Sequence, residues 1–211
     1  MTETNLPPAR AAGFLAIASA VATVALLAGH PESTAHDFVG VLRDEAAGRM
    51  ADAVVHGGFI AVLAVQTACY AVLSQRLDRL PALFGIVFFA FGAAALSASM
   101  VLDGLVTPAL AARYLAAPQK IEFARALFVL VGTMIGWLMP LGLAFQAAAM
   151  AAWGVALAAA RKWIVGVAAV LGGGAMLAAL AMGNPLATMA ALGGTALWAA
   201  LAGTLLTLRK V

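Results

Sequence analysis

The sequence predicts an all-α fold: a polytopic integral membrane protein with six transmembrane helices and a small helical cap on the outer face. Hydrophobic residues make up 64% of its 211 positions and charged residues only 10%, whereas soluble domains carry about 25% charged residues. The mean hydropathy is +1.02. The apolar residues are grouped into runs of about 20, the length that crosses the hydrocarbon core of a bilayer as a helix.

Six apolar segments are long enough to span a membrane. They cover residues 11–29, 53–73, 82–102, 126–149 (with an extension to 160 left open), 163–182 and 186–208. Polar or helix-breaking residues separate them, at 30–31, 76–81, 161–162 and 183–185. No long linker or low-complexity tract divides the chain, so residues 1–211 are predicted to form a single domain.

The fourth segment is longer than a membrane requires, because its apolar run continues to Ala160. Breaking it at Pro140 would produce a seventh helix. It would also move Arg161, Lys162 and the C-terminal basic pair to the outside, against the preference of Lys and Arg for cytoplasmic loops. Six spans are therefore predicted, with the fourth helix long and tilted or kinked at Pro140.

The distribution of basic residues predicts the orientation. One side of a six-span bundle receives the basic residues of the short loops and tails, which are Arg10, Arg76, Arg79, Arg161, Lys162, Arg209 and Lys210. That side is predicted to be cytoplasmic, with both termini on it and the plasma (inner) membrane as the location. A net charge of +3 is too small and too dispersed to indicate nucleic acid as a partner.

Two outer segments predict the helical cap. Thr34 followed by Asp37 has an N-cap pattern, and the residues after it show the periodicity of a helix that leads into the second span. Thr107-Pro108 resembles an N-cap with a first-turn proline. A short helix is therefore predicted over 109–117, ended by Pro118.

Three ionisable residues are predicted to lie at similar depth on the outer rim, because each is 20–24 residues from the cytoplasmic end of its span. They are His30, His56 and Asp103. His36 and Asp37, in the adjoining outer helix, would fold over the same place. Imidazole and carboxylate groups are ligands for zinc, copper or iron. His30 and His56 are alternatively a pair of ligands for b-type haem. A third use is proton exchange at His56, with Asp52 or Asp103 tuning its pKa. The plainer interpretation is that these are polar residues where helices leave the hydrocarbon.

Two other groups of polar residues are candidates for binding. Arg49, Arg113 and Arg125 would hold a lipid headgroup or an anionic ligand on the outer face, or else belong to solvated segments. Within the spans, Gln66, Thr67 and Gln146 would link helices by hydrogen bonds or line a substrate path.

These patterns lead to three hypotheses about function. The first is a binding or redox protein with a metal or haem on the outer rim. The second is an accessory or scaffolding subunit that packs on other membrane subunits or on copies of itself among membrane lipids. The third is a carrier of a small or lipidic molecule. No catalytic serine elbow or nucleotide motif is present in the sequence.

Overall fold

A computed structural model describes residues 7–31, 33–183 and 185–208. Glu32, Arg209 and Lys210 lie outside the described residues. The described chain is entirely helical: α1 (Pro7–Ala28), α2 (Phe38–Leu77), α3 (Leu80–Val101), a π-helical turn (Leu102–Val106), α4 (Thr107–Leu115), a 3₁₀ turn (Pro118–Lys120), α5 (Ile121–Ala159), α6 (Trp163–Ala181) and α7 (Pro185–Thr207).

Six helical segments of the described chain are long and apolar enough to cross a membrane. The predicted number of six is therefore confirmed. α5 runs unbroken through Pro140, so the alternative of a seventh helix, split at this proline, is excluded. α1 packs on α7 and α2, while α5 packs on α3 and α6. We call the end where α1 begins and α7 ends the terminal end of the bundle, and the opposite end the histidine end.

The predicted cap is formed by long helices that extend past the others at the histidine end. α2 has 40 residues and α5 has 39, so each is about 60 Å long, twice the thickness of the hydrocarbon core. The start of α2 packs on the third turn of α5, where the Phe38 and Phe128 rings meet edge to face with centroids 5.4 Å apart. The Arg125 guanidinium lies 4.8 Å from the centre of the Phe38 ring.

The predicted N-cap at Thr34 is wrong. α2 begins at Phe38, and Asp37 is its N-cap, with a carboxylate oxygen that accepts a hydrogen bond of 2.9 Å from the Gly40 amide. A carboxylate and a threonine hydroxyl can both accept a hydrogen bond from an unpaired helix amide. Only the carboxylate also carries a negative charge that complements the positive end of the helix dipole.

The predicted N-cap at Thr107 is also wrong, because α3 continues into α4 without a break. The π-helical turn joins them, and the Thr107 amide donates to the Leu102 carbonyl five residues back. The Thr107 hydroxyl donates to the same carbonyl over 2.9 Å. Pro108 has no amide hydrogen to donate, and the wider π turn before it removes the need for a regular hydrogen bond at this position.

Glycines allow close approach of neighbouring helices at specific crossings. A methyl group added to Gly92 would lie 2.7 Å from the Gly142 carbonyl oxygen, and one added to Gly154 would lie 2.7 Å from the Gly166 carbonyl oxygen. These are the crossings of α5 with α3 and with α6. Gly132 and Gly136 have the four-residue spacing typical of close helix packing. A methyl group added to either would meet no described atom within 4 Å, so these glycines do not serve helix packing among the described residues.

We expect the Gly92→Ala variant to be less stable than the wild type by about 1–3 kcal/mol, because α3 and α5 must separate to admit the methyl group. Thermal unfolding in detergent measures the difference. Gly136→Ala is the matched control, and its midpoint should be unchanged or slightly raised. Equal losses of stability in the two variants would show that close packing at the α3–α5 crossing does not determine the stability of the bundle.

Candidate metal centre

Three side chains from separate segments converge at the histidine end. His30 follows the end of α1, His56 lies within α2, and Asp103 lies in the π-helical turn after α3. One potential ligand atom from each lies within 4.8 Å of the other two. These are the three residues for which span length predicts equal depth.

The ring nitrogens define the geometry of this cluster. His56 Nε2 is 3.2 Å from Asp103 Oδ2 and 3.3 Å from His30 Nε2. The two imidazole rings meet edge to face, with centroids 5.0 Å apart and planes inclined at 73°. His56 is therefore the central member, in contact with both of the others.

Backbone carbonyls fix which nitrogen of each histidine carries the proton. His56 Nδ1 donates to the Asp52 carbonyl over 2.9 Å, and His30 Nδ1 donates to the Pro31 carbonyl over 2.8 Å. In the neutral imidazoles, both Nε2 atoms are then unprotonated, with lone pairs directed into the cluster. Histidines that bind metals are oriented by this kind of hydrogen bond from the second ring nitrogen.

Gly104 makes room for His56. A methyl group on Gly104 would overlap His56 Cβ and Cγ and lie 2.5 Å from its Nδ1. The π-helical turn thus lies directly against the imidazole and holds the adjacent Asp103 beside it. Sequence reasoning missed Gly104, although a glycine next to a candidate ligand is a signal of close backbone approach.

The cluster is closed on one side and open on the other. His56 is 1% exposed, the Asp103 side chain is 35% exposed, and His30 is exposed. Two further carboxylates, those of the buried Asp52 and the half-buried Glu45, interact electrostatically with His56 and Asp103. Within the described part of the chain, no lysine or arginine forms an ion pair with any of these carboxylates. Among the described residues, these carboxylates therefore face the two imidazoles and no paired basic side chain.

His36 and Asp37 do not join the cluster, contrary to the prediction. α2 is continuous, so Asp37 at its start lies about 28 Å along the helix from His56. Its carboxylate caps the helix, and His36 is exposed. The prediction assumed an outer helix that folds back over the rim, and the unbroken α2 extends away from it.

The three candidate arginines lie on three different helices of the cap. Arg125 is half-exposed and forms an ion pair of 3.5 Å with Glu122, while the Arg113 guanidinium lies 5.8 Å from the Tyr114 ring centre. Arg49 is exposed. In the described residues, no hydrogen bond, ion pair or ring contact links any two of the three, so they do not form one anion site.

The three polar residues predicted to lie within the spans have different surroundings. Gln66 is 3% exposed and Gln146 is 5% exposed, and both line a small internal cavity of about 30 Å³. The Thr67 hydroxyl donates to the Leu63 carbonyl of its own helix over 2.7 Å. Both glutamines therefore face the interior of the bundle, and Thr67 is satisfied locally.

Comparison of this chain with models of protein families, with curated proteins and with solved structures found no match.

Proposed function

We propose that this chain is an integral membrane protein that binds one divalent transition metal ion at the histidine end, through His30, His56 and Asp103. The observation that carries the proposal is the convergence of two Nε2 atoms 3.3 Å apart and a carboxylate oxygen 3.2 Å from one of them. His56 Nε2 is close to both of the other ligand atoms, and the three lie within 4.8 Å of one another. Electron-pair donors at the two short distances repel one another unless a cation lies between them.

The two short distances, from His56 Nε2 to His30 Nε2 and to Asp103 Oδ2, suit a metal ion of ordinary coordination geometry. The His30 and Asp103 ligand atoms, which lie within 4.8 Å of each other, must draw closer to share the ion. Zinc–nitrogen bonds of 2.0–2.1 Å in a tetrahedral site place neighbouring ligand atoms about 3.3 Å apart. Two histidines and one carboxylate leave a fourth position open, as in catalytic zinc sites and in the iron sites of oxygenases. The open side at His30 and Asp103 provides access to that position.

The same distances argue against b-type haem. Two axial histidines bind haem iron from opposite faces, so their nitrogens are separated by two metal–nitrogen bonds, or about 4 Å, with the macrocycle between them. Here the nitrogens are 3.3 Å apart and Asp103 Oδ2 approaches one of them to 3.2 Å. These distances favour a bare ion over a porphyrin.

A proton is the second cation that would satisfy the cluster. The 3.2 Å contact from His56 Nε2 to Asp103 Oδ2 would become a charge-assisted hydrogen bond if Nε2 were protonated. The site would then hold or exchange a proton. This second candidate function predicts a cluster that takes up no metal.

The six apolar helices support integration into a membrane, and the positions of basic residues support an orientation. Arg76 lies in the last turn of α2, and Arg79, Arg161 and Lys162 lie in the short connections at the same terminal end. We therefore place the terminal end in the cytoplasm and the metal centre at the outer interface of the plasma (inner) membrane.

Cobalt titration of the full-length, metal-free protein in detergent tests the proposal. We expect one equivalent of Co²⁺ to produce visible ligand-field bands of the strength typical of four-coordinate or five-coordinate cobalt, which then disappear when zinc is added. The same titration of His36→Ala, outside the cluster, should be unchanged. A wild-type spectrum identical to that of cobalt in buffer would reject the metal centre and favour the alternative, in which the cluster holds or exchanges a proton.

A further inference from the structure

Two small cavities lie next to each other in the middle of the bundle, away from the metal centre. The larger, of about 30 Å³, and the smaller, of about 10 Å³, are both lined by Gln146 and Thr195. Gln66 and Thr23 also line the larger cavity, and Tyr70 and Trp198 line the smaller one. Polar side chains from four helices therefore converge where the spans are otherwise apolar.

Two buried hydrogen-bond donors in this region have no partner among the described residues. They are the amide nitrogen of Gln146 and the indole nitrogen of Trp198. Each side chain is 5% exposed and lines the smaller cavity. An unsatisfied buried donor costs about 1–3 kcal/mol, so two neighbouring ones require an acceptor.

The threonines at these cavities supply acceptor positions. The Thr195 hydroxyl donates to the Leu192 carbonyl over 2.7 Å and the Thr23 hydroxyl donates to the Ser19 carbonyl over 2.9 Å. With its hydrogen used in this way, each oxygen keeps lone pairs that can accept. A ligand between these groups must accept from Gln146 and Trp198 and donate to the threonine oxygens.

We propose that the two cavities bind water, about three molecules in a short chain. A buried water needs roughly 10–15 Å³ and two to four polar partners, so the larger cavity has room for two and the smaller for one. Water both accepts and donates, as the surrounding groups require. A lipid chain or an organic cofactor would need a far larger volume.

The water site is independent of the metal centre. Val55, Phe59 and Met100 form a separate buried apolar cluster, and Phe59 lies one turn of α2 from His56 on the side of the cavities. This apolar layer separates the histidine cluster from the glutamines. The failure of either proposal would therefore leave the other standing.

A crystal structure of the full-length protein, at a resolution that shows ordered water, tests this inference. We expect solvent density within about 2.7–3.2 Å of both the Gln146 amide nitrogen and the Trp198 indole nitrogen. Cavities free of density, or continuous density of an acyl chain or detergent tail, would overturn the proposal.

A pair of variants provides a second test. Gln146→Leu removes the amide that both cavities share, and we expect the density next to Trp198 to be lost. Gln75→Leu is the matched control, because Gln75 is exposed on α2, and it should retain the density. Solvent density at Trp198 that is equal in the two variants would contradict the role of Gln146, and if Gln146→Leu does not fold, the wild-type density decides alone.

Discussion

The His56→Ala variant is expected to lose zinc binding, with an affinity at least about 100-fold below that of the wild type. His56 is the central member of the cluster, 3.3 Å from His30 Nε2 and 3.2 Å from Asp103 Oδ2. Even residues that only orient metal ligands contribute 10–100-fold to affinity, and loss of a ligand costs more. Competition with a chromophoric chelator measures the change.

Two further variants separate loss of a ligand from loss of the fold. His56 is 1% exposed, so its removal also leaves a cavity that lowers stability. His30 is exposed, and His30→Ala should fold normally and still bind zinc at least about 10-fold more weakly. His36→Ala is the histidine control outside the cluster, with unchanged affinity. Equal affinities in all three variants would contradict the assignment of the ligands.

The Gly104→Ala variant is expected to reduce both stability and metal affinity, although Gly104 offers no ligand. The added methyl group would overlap His56 Cβ and Cγ, so either the imidazole or the π-helical turn must move. Overpacking of this kind costs about 1–3 kcal/mol, and a displaced imidazole should weaken zinc binding by about 10–100-fold. Thermal unfolding and the chelator competition measure the two effects.

Gly57→Ala is the matched control for this substitution. Gly57 is the neighbour of His56 on the same helix, and a methyl group there meets nothing within 4 Å. Its stability should be equal to that of the wild type or slightly higher, because alanine favours the helix. If Gly104→Ala behaved like Gly57→Ala in both measurements, the close contact between the π-helical turn and His56 would be irrelevant to the site.

The number and order of the apolar helices were predictable from the sequence because hydropathy reports directly on segments that avoid water. The six predicted segments correspond to α1, α2, α3, α5, α6 and α7. The extra lengths of α2 and α5 beyond a membrane span were less predictable. No breaker separates the amphipathic beginning of α2 from its apolar continuation, and Pro108 resembles a helix start although it follows a π-helical turn within a continuous helix.

The candidate site was predictable in part, for a geometric reason. Counting residues along a span gives depth, which brings His30, His56 and Asp103 to one level. Depth carries no information on how straight a helix is, so His36 and Asp37 were wrongly predicted to fold over the site. The role of Gly104 depends on a contact between two segments, which spacing along one sequence does not define. The Pro31 and Asp52 carbonyls are local partners of His30 and His56, but their use depends on the side-chain rotamers, which the sequence does not define either.

Equilibrium dialysis of the chelator-treated, full-length protein against zinc is the most direct test of the central claim, that His30, His56 and Asp103 form a metal centre. The geometry predicts one zinc ion per chain in the wild type and none in a His30→Ala/His56→Ala double variant that remains folded. If the wild type bound no more zinc per chain than the double variant, the claim would be contradicted. The three side chains would then be a proton-sharing cluster.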